Sequence, residues 1–224
     1  MKYYPVYIDI SKRKCVVAGG GDVAERKVER LLECGARVVV IGNELTPNLE
    51  AMKNEEKISH IPDNYKNDYI EGALLVIGAT DRDEINERIY RDSQERGILV
   101  NIVDDPAKCD FIVPSVFQQG DLSIAISTGG KSPALARNLR EELEQRYGHE
   151  YRILLNIMGD IREKIISRGE PSDENKKLFE SVLNSDILQH IREKNWDKVR
   201  KIIHDLVGED INIDEFGKGF NSKR

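Results

Sequence analysis

Metal-binding side chains are scarce in this chain and badly spaced for the task. The three cysteines, Cys15, Cys34 and Cys109, are odd in number and fall at intervals that no metal site uses. The four histidines, His60, His149, His190 and His204, share no motif. This argues against a metal centre or a disulfide scaffold. It suits reduced, packed cysteines in a cytosolic protein. Positive charge is also short: 34 Lys and Arg stand against 40 Asp and Glu, a net charge of -6. There is no overall basic surface for nucleic acid. No apolar run approaches a membrane span, and Met1-Lys-Tyr-Tyr-Pro-Val carries no signal-peptide core. The expectation is a cytoplasmic protein with neither nucleic acid nor membrane as partner. No internal repeat is visible. What is present, 39% hydrophobic and 33% charged residues over 224 positions, is enough for one large globular domain or two small ones.

The most informative stretch is Cys15-Val-Val-Ala-Gly-Gly-Gly-Asp-Val-Ala-Glu-Arg-Lys27. A short apolar run turns on three glycines into a pattern with apolar residues at Ala24, Val28, Leu31 and Leu32, one face of a helix. Strand, tight turn and helix in that order fit Gly-x-Gly-x-x-Ala, the dinucleotide fingerprint, at Gly19, Gly21 and Ala24. Gly19 permits the turn. Gly21 lets a phosphate approach the backbone, and Ala24 lets the helix pack close to the strand. Asp22 and Val23 open the helix, whose free N–H groups and positive dipole end face the pyrophosphate. Read without that context, the same residues make a plain Gly-rich turn.

A second strand, Ala36 to Ile41, ends in Gly42-Asn43-Glu44. The residue here selects the cofactor. Asn43 can hydrogen-bond a ribose, and Glu44 repels a 2′-phosphate, so NAD is favoured over NADP; Asn43 would serve equally as a turn residue. Thr46 and Pro47 start a short helix as N-cap and N1. Ile58 to Ile61 reads as a strand with His60 on its surface. Leu74 to Thr80 is a strand whose end, Ala79-Thr80, lines the expected crevice. Arg82 to Arg96 is a helix stopped by Gly97, and Ile98 to Val103 a fifth strand. This alternation predicts a parallel sheet. A strand-like lead-in is expected at Tyr4–Asp9.

Past the fifth strand stand Asp104, Asp105 and Pro106, again at the crevice. The alternation then stops. Phe111–Phe117 and Leu122–Ser127 read as a hairpin joined by Gln118–Asp121. A second Gly-rich turn, Thr128-Gly129-Gly130-Lys131-Ser132, precedes a helix from Pro133 with Ser132 as N-cap and Leu135, Leu139 and Leu143 in one stripe. The remainder reads as helices marked by Ile153, Ile157, Ile161 and Ile165, by Leu178 and Val182, by Leu188 and Ile191, and by Val199 to Leu206, with a break at 169–173.

These pieces, in this order, resemble the precorrin-2 dehydrogenase family, which also forms the N-terminal half of siroheme synthase. The resemblance rests on Ala18–Lys27, Ala79-Thr80-Asp81, Asn101–Asp104, Phe111–Ser115 and Ala125–Arg137, over about the first 145 residues. It is loose in the C-terminal helices. It implies an NAD-binding Rossmann domain (1–112), a dimerisation segment with hairpin and helix (113–148), a helical C-terminal domain (149–208) and a disordered tail (209–224). It implies a homodimer that oxidises precorrin-2 to sirohydrochlorin with NAD, some members also inserting iron. Asp104 then becomes the base, and Asp105 the turn residue. The substrate is a carboxylate-rich tetrapyrrole, and Thr128 to Ser132 with Arg137 offer backbone N–H groups and two cations to receive it. Two other functions suit the same residues. One is a non-catalytic NAD-binding sensor, which would need neither Asp104 nor the second Gly-rich turn. The other is a ferrochelatase sharing Asp104.

Overall fold

The computed structural model describes residues 2–168 and 172–208. The expected tail at 209–224 and residues 169–171 of the expected break at 169–173 lie outside the described residues. The chain divides into two compact units, Met1–Val113 and Pro114–Arg224. The hairpin and the C-terminal helices both belong to the second.

The first unit is built on β1 (Lys14–Ala18), β2 (Arg37–Ile41), β3 (Ile58–Ile61), β4 (Leu75–Gly78) and β5 (Leu99–Ile102). All pair in parallel, in the order β3-β2-β1-β4-β5. The strand order therefore reverses beside β1, and the crevice of a doubly wound sheet opens past the C-terminal ends of β1 and β4. Helices α1 (Asp22–Glu33), α2 (Pro47–Asn54) and α3 (Asp83–Arg96) connect the strands.

Period-two alternation sorts the strand residues onto two covered faces. Cys15 and Val17, with Val38, Val40, Leu75 and Ile77, pack under Ala24, Val28 and Leu31 of α1 and Leu49 of α2. Val16 and Ala18, with Ile41, Val76, Val100 and Ile102, pack under Ile89 of α3 and against Tyr65 and Ile70. Each buried Val, Leu or Ile contributes about 1.5–3 kcal/mol of transfer free energy. That explains the runs of apolar residues with no polar alternation. Burial pushes the Cys15 thiol up to about 11, so it stays protonated and inert. Cys34 differs from expectation. It is exposed, as the C-cap of α1, and only Cys15 is fully buried.

Caps stand where the residue types ask for them. The Thr46 hydroxyl accepts from the Leu49 N–H at 3.2 Å. Gly97 closes α3 at φ +64, a left-handed position that glycine fills without strain. Tyr4–Asp9 is not a strand. It is exposed, with no ladder partner among the described residues.

In the second unit, β6 (Ser115–Gln119) and β7 (Leu122–Ile126) form an antiparallel hairpin. Its first strand starts later and its loop is tighter than the sequence suggested. Gln119 pairs with Leu122, so only Gly120 and Asp121 make the turn, and Gly120 supplies the positive φ. Phe111 belongs instead to the first unit's core, and Phe117 is buried beside the Tyr147 ring. Both therefore have cover inside the chain. Helix α4 (Pro133–Arg146) buries Ala136 but leaves Leu135 and Leu139 exposed. Helices α5 (His149–Arg168), α6 (Ser172–Asn184), α7 (Ile187–Arg192) and α8 (Trp196–Val207) share a core of Ile153, Ile157, Ile161, Ile165, Val182, Ile191 and Ile203.

Candidate cofactor crevice and the carboxylate beside it

The three glycines after β1 have three different surroundings. Gly19 sits at φ +126, and its N–H donates to the Ile41 carbonyl at 2.8 Å. A Cβ on it would strike the carbonyl oxygen of Ala79 at the end of β4. Gly20 is crowded from the other side: a Cβ there would strike the Glu44 carbonyl oxygen. Its own carbonyl accepts from the Thr46 N–H at 3.0 Å. Gly21 is the N-cap of α1, and a Cβ there would meet nothing within 4 Å. The first two glycines let the loops after β1, β4 and β2 touch. The third leaves the helix N-terminus open on the side from which a phosphate would approach. Sequence reading gave Gly20 no role. Its signal was a third glycine where the fingerprint needs only two.

Helix α1 is tied to the wall beside it. The Thr46 hydroxyl donates to the Glu25 carboxylate, as does the Asn48 amide at 3.0 Å. The Thr46 bond, with that of Asn48, holds the Glu25 carboxyl below its ordinary range. Asp22 is exposed on the first turn and Val23 is partly covered. Asn43 and Glu44 follow β2 with exposed side chains. The residues present fit a dinucleotide: open N–H groups at Gly21 and an acidic residue past β2. His60 lies 2.7 Å from the Gly42 carbonyl through Nε2, so it braces that loop.

Thr80 is more committed than expected. Its hydroxyl lies 2.8 Å from Asn86 Oδ1 and accepts from the Arg82 N–H at 3.2 Å, while the Asn86 amide donates to the Thr80 carbonyl. The pair shapes the turn into α3, and buried Asn86 was missed by the sequence reading. Ala79 contributes through its backbone, against Gly19.

Past β5 the two neighbouring aspartates separate in role. Asp105 caps the short 3₁₀ turn Pro106–Lys108, accepting from the Ala107 N–H at 3.2 Å and pairing with Lys108 at 2.9 Å. The Lys108 bond holds its carboxyl below the ordinary range. Asp104 has a left-handed backbone, φ +63, and an exposed side chain that makes no hydrogen bond among the described residues. Such a backbone costs a non-glycine residue on the order of 1 kcal/mol, though Asp and Asn bear it best. Below it, the Asn101 amide donates to the Phe111 carbonyl at 2.9 Å, and Asp110 accepts from the Val100 N–H at 3.0 Å. These bonds fold 103–111 back onto the strand end and fix where Asp104 stands.

The second Gly-rich turn lies in the other unit. Gly129 and Gly130 take φ +62 and +83. The N–H groups of Gly129, Lys131 and Ser132 are already bound, to Ser127 Oγ, the Thr128 carbonyl and Thr128 Oγ1. Ser132 caps α4 by accepting from the Leu135 N–H at 3.2 Å. The turn therefore offers fewer free donors than its composition suggests, because it satisfies itself. What it presents to solvent is the exposed Lys131, with Arg137 also exposed on α4.

Residues 6–115 match the model of a putative NAD(P)-binding family, and residues 119–146 that of the sirohaem biosynthesis protein central region. The siroheme synthase of Photobacterium profundum is 35% identical over 184 residues, 82% of this chain and 39% of that one. By these matches the chain is similar to the siroheme synthases. The siroheme synthase of Mannheimia succiniciproducens is 33% identical over 201 residues, 90% of this chain and 42% of its own. The chain thus spans about two fifths of the length of these siroheme synthases. In fold, it matches the solved structure of SirC, precorrin-2 dehydrogenase, at a TM-score of 0.77 and 20% identity, over 92% of this chain and 100% of that one. The likeness of residues 6–115 to an NAD(P)-binding family accounts for the Rossmann-type sheet and the fingerprint together.

Gly20→Ala and Gly21→Val should behave oppositely. The first forces a Cβ into a backbone carbonyl and should cost about 1–3 kcal/mol or more, read as a lowered denaturant midpoint. The second should fold at parental stability and lose most of its NAD affinity in a titration. Unchanged NAD binding by folded Gly21→Val would remove the loop from the cofactor site.

Proposed function

We propose that the chain oxidises precorrin-2 to sirohydrochlorin with NAD as cofactor, in the cytoplasm, as a homodimer. The observation that carries this reading is the division between Asp104 and Asp105. One carboxylate is spent on a cap and an ion pair. The other stands exposed past a strand end, on left-handed backbone, and its side chain makes no hydrogen bond or ion pair among the described residues. A left-handed residue at a strand end whose carboxylate is left out of the local bonding points to function. The names of the relatives supply the reaction: siroheme synthases in sequence, and a precorrin-2 dehydrogenase in fold.

NAD, when bound, supplies the hydride acceptor. The chain's own residues do the rest. Gly19 and Gly20 bring three loops together, and Gly21 with the α1 N-terminus receives the pyrophosphate. Glu44 disfavours a 2′-phosphate by charge, and Asn43 can bond a ribose hydroxyl. Asp104 accepts the proton that the substrate carbon sheds when its hydride departs. Lys131 and Arg137 supply positive charge for the substrate's carboxylates in a chain whose net charge is -6. The sensor reading leaves the free Asp104 unexplained, since nucleotide binding does not require it.

Asp104→Ala should keep the fold and NAD binding and lower the rate of sirohydrochlorin formation by about a hundredfold or more, the usual scale for losing a general base. Asp105→Ala should mainly cost stability, about 0.5–2 kcal/mol for a lost cap. A parental rate in Asp104→Ala means that water or the substrate takes the proton; a dead Asp105→Ala moves the site to that residue.

The homodimer rests on exposed apolar residues of the second unit, Val116, Leu135 and Leu139. A two-fold contact would cover them. Light scattering at low micromolar concentration should give twice the chain mass of 25.5 kDa. The monomer mass would count against it.

A further inference from the structure

Asn43 and Glu44, which face the choice between NAD and NADP, stand on a short span that is tied down at both ends. Upstream, the Gly19 N–H donates to the Ile41 carbonyl at 2.8 Å, and His60 Nε2 lies 2.7 Å from the Gly42 carbonyl. Downstream, the Thr46 N–H donates to the Gly20 carbonyl at 3.0 Å, and the Thr46 hydroxyl donates to the Glu25 carboxylate. The Asn48 amide donates to Glu25 and to Glu29, each at 3.0 Å. Between these anchors the side chains of Asn43 and Glu44 are exposed and make no hydrogen bond or ion pair among the described residues.

Glu25 lies in the first turn of α1, the helix whose N-terminus is open at Gly21. An acidic residue in that turn suits the helix dipole, but Asp22 already serves this purpose. A second carboxylate at an anion-binding helix end works against the phosphates by repulsion. What Glu25 adds is a link between elements. One of its oxygens is taken by Thr46 and the other by Asn48, so it joins α1 to the segment that follows β2. The two joined parts are the two halves of the cofactor site: the helix end for the pyrophosphate and the span after β2 for the ribose. Covalent bonds fix the separation of pyrophosphate and ribose in the cofactor. A site that discriminates at the 2′ position must therefore hold its halves at a matching separation. We propose that Glu25 is a positioning residue for cofactor selectivity, holding Glu44, through Thr46 and Asn48, where its charge opposes a 2′-phosphate. This rests on the NAD reading above and adds the residue that enforces it. Without the link, the backbone bond from Thr46 to Gly20 remains, but the span is free to move Glu44 away from the added phosphate.

The test is titration of the full chain with NAD and with NADP, read as the ratio of the two dissociation constants. Glu25→Ala should fold and lower the preference for NAD by about fivefold or more. Glu25→Gln, whose amide oxygen can still accept from Thr46, should keep most of it. A merely structural tie would lower stability or weaken both cofactors alike and leave the ratio unmoved. A parental ratio in folded Glu25→Ala therefore overturns the proposal. So does an equal fall in Glu25→Gln, which would assign the effect to charge at a distance. Should Glu25→Ala fold poorly, Thr46→Val and Thr46→Ser replace it. The serine keeps the hydroxyl and must keep the parental ratio, the valine lacks it and must lower the ratio, and equal ratios overturn the proposal. Glu44→Ala separates this inference from the reading beneath it. A parent chain that binds NADP as tightly as NAD defeats the cofactor reading and the proposal together. A parent that prefers NAD, loses the preference in Glu44→Ala and keeps it in Glu25→Ala defeats the proposal alone.

Discussion

The crevice depends on a close approach of backbones. Gly19 admits the carbonyl of Ala79, and Gly20 admits the carbonyl of Glu44. Three loops that follow β1, β4 and β2 meet there with no side chain between them. Hydrogen bonds secure the contact: Gly19 N–H to Ile41, Thr46 N–H to Gly20, and Ala79 N–H to Ala18. Because Ala79 and Glu44 are pinned, the ends of β4 and β2 are placed relative to the N-terminus of α1. A methyl group at either glycine would push them apart. The same packing leaves Gly21 uncrowded, so one short turn both closes the fold and opens the site.

The free carboxylate sits on a second rigid feature. Asn101 and Asp110 tie the segment after β5 back to the strand end, and Asp105 caps the turn that follows. Those bonds determine the backbone around Asp104 and let it hold a left-handed conformation. Its side chain takes no part in them. Positioning and chemistry are thus divided between adjacent residues.

Much of this was legible in the sequence. Apolar strands alternating with helical periods gave the parallel sheet, and Thr46, Ser132 and Gly97 announced their caps through residue type alone. Errors arose where a local pattern had more than one tertiary use. Phe111 and Phe117 look alike in an apolar run, yet one packs into the sheet domain and the other beside Tyr147. Tyr4–Asp9 has strand-like residues but no neighbouring strand to pair with. The turn from Thr128 to Ser132 is rich in potential donors, and only the structure reveals that its own hydroxyls consume several of them. Gly20 was passed over because its importance comes from the Glu44 carbonyl on another loop, and no spacing rule along the chain reports that.

The account's central claim is that this crevice removes a hydride and a proton from one bound tetrapyrrole. The most direct measurement is stoichiometry: precorrin-2 and NAD⁺ mixed with the purified chain, with NADH and sirohydrochlorin followed together by absorbance. The account predicts that the two products appear at the same rate and in equal amounts. NAD binding with no NADH formed, or sirohydrochlorin arising without NADH, would contradict it.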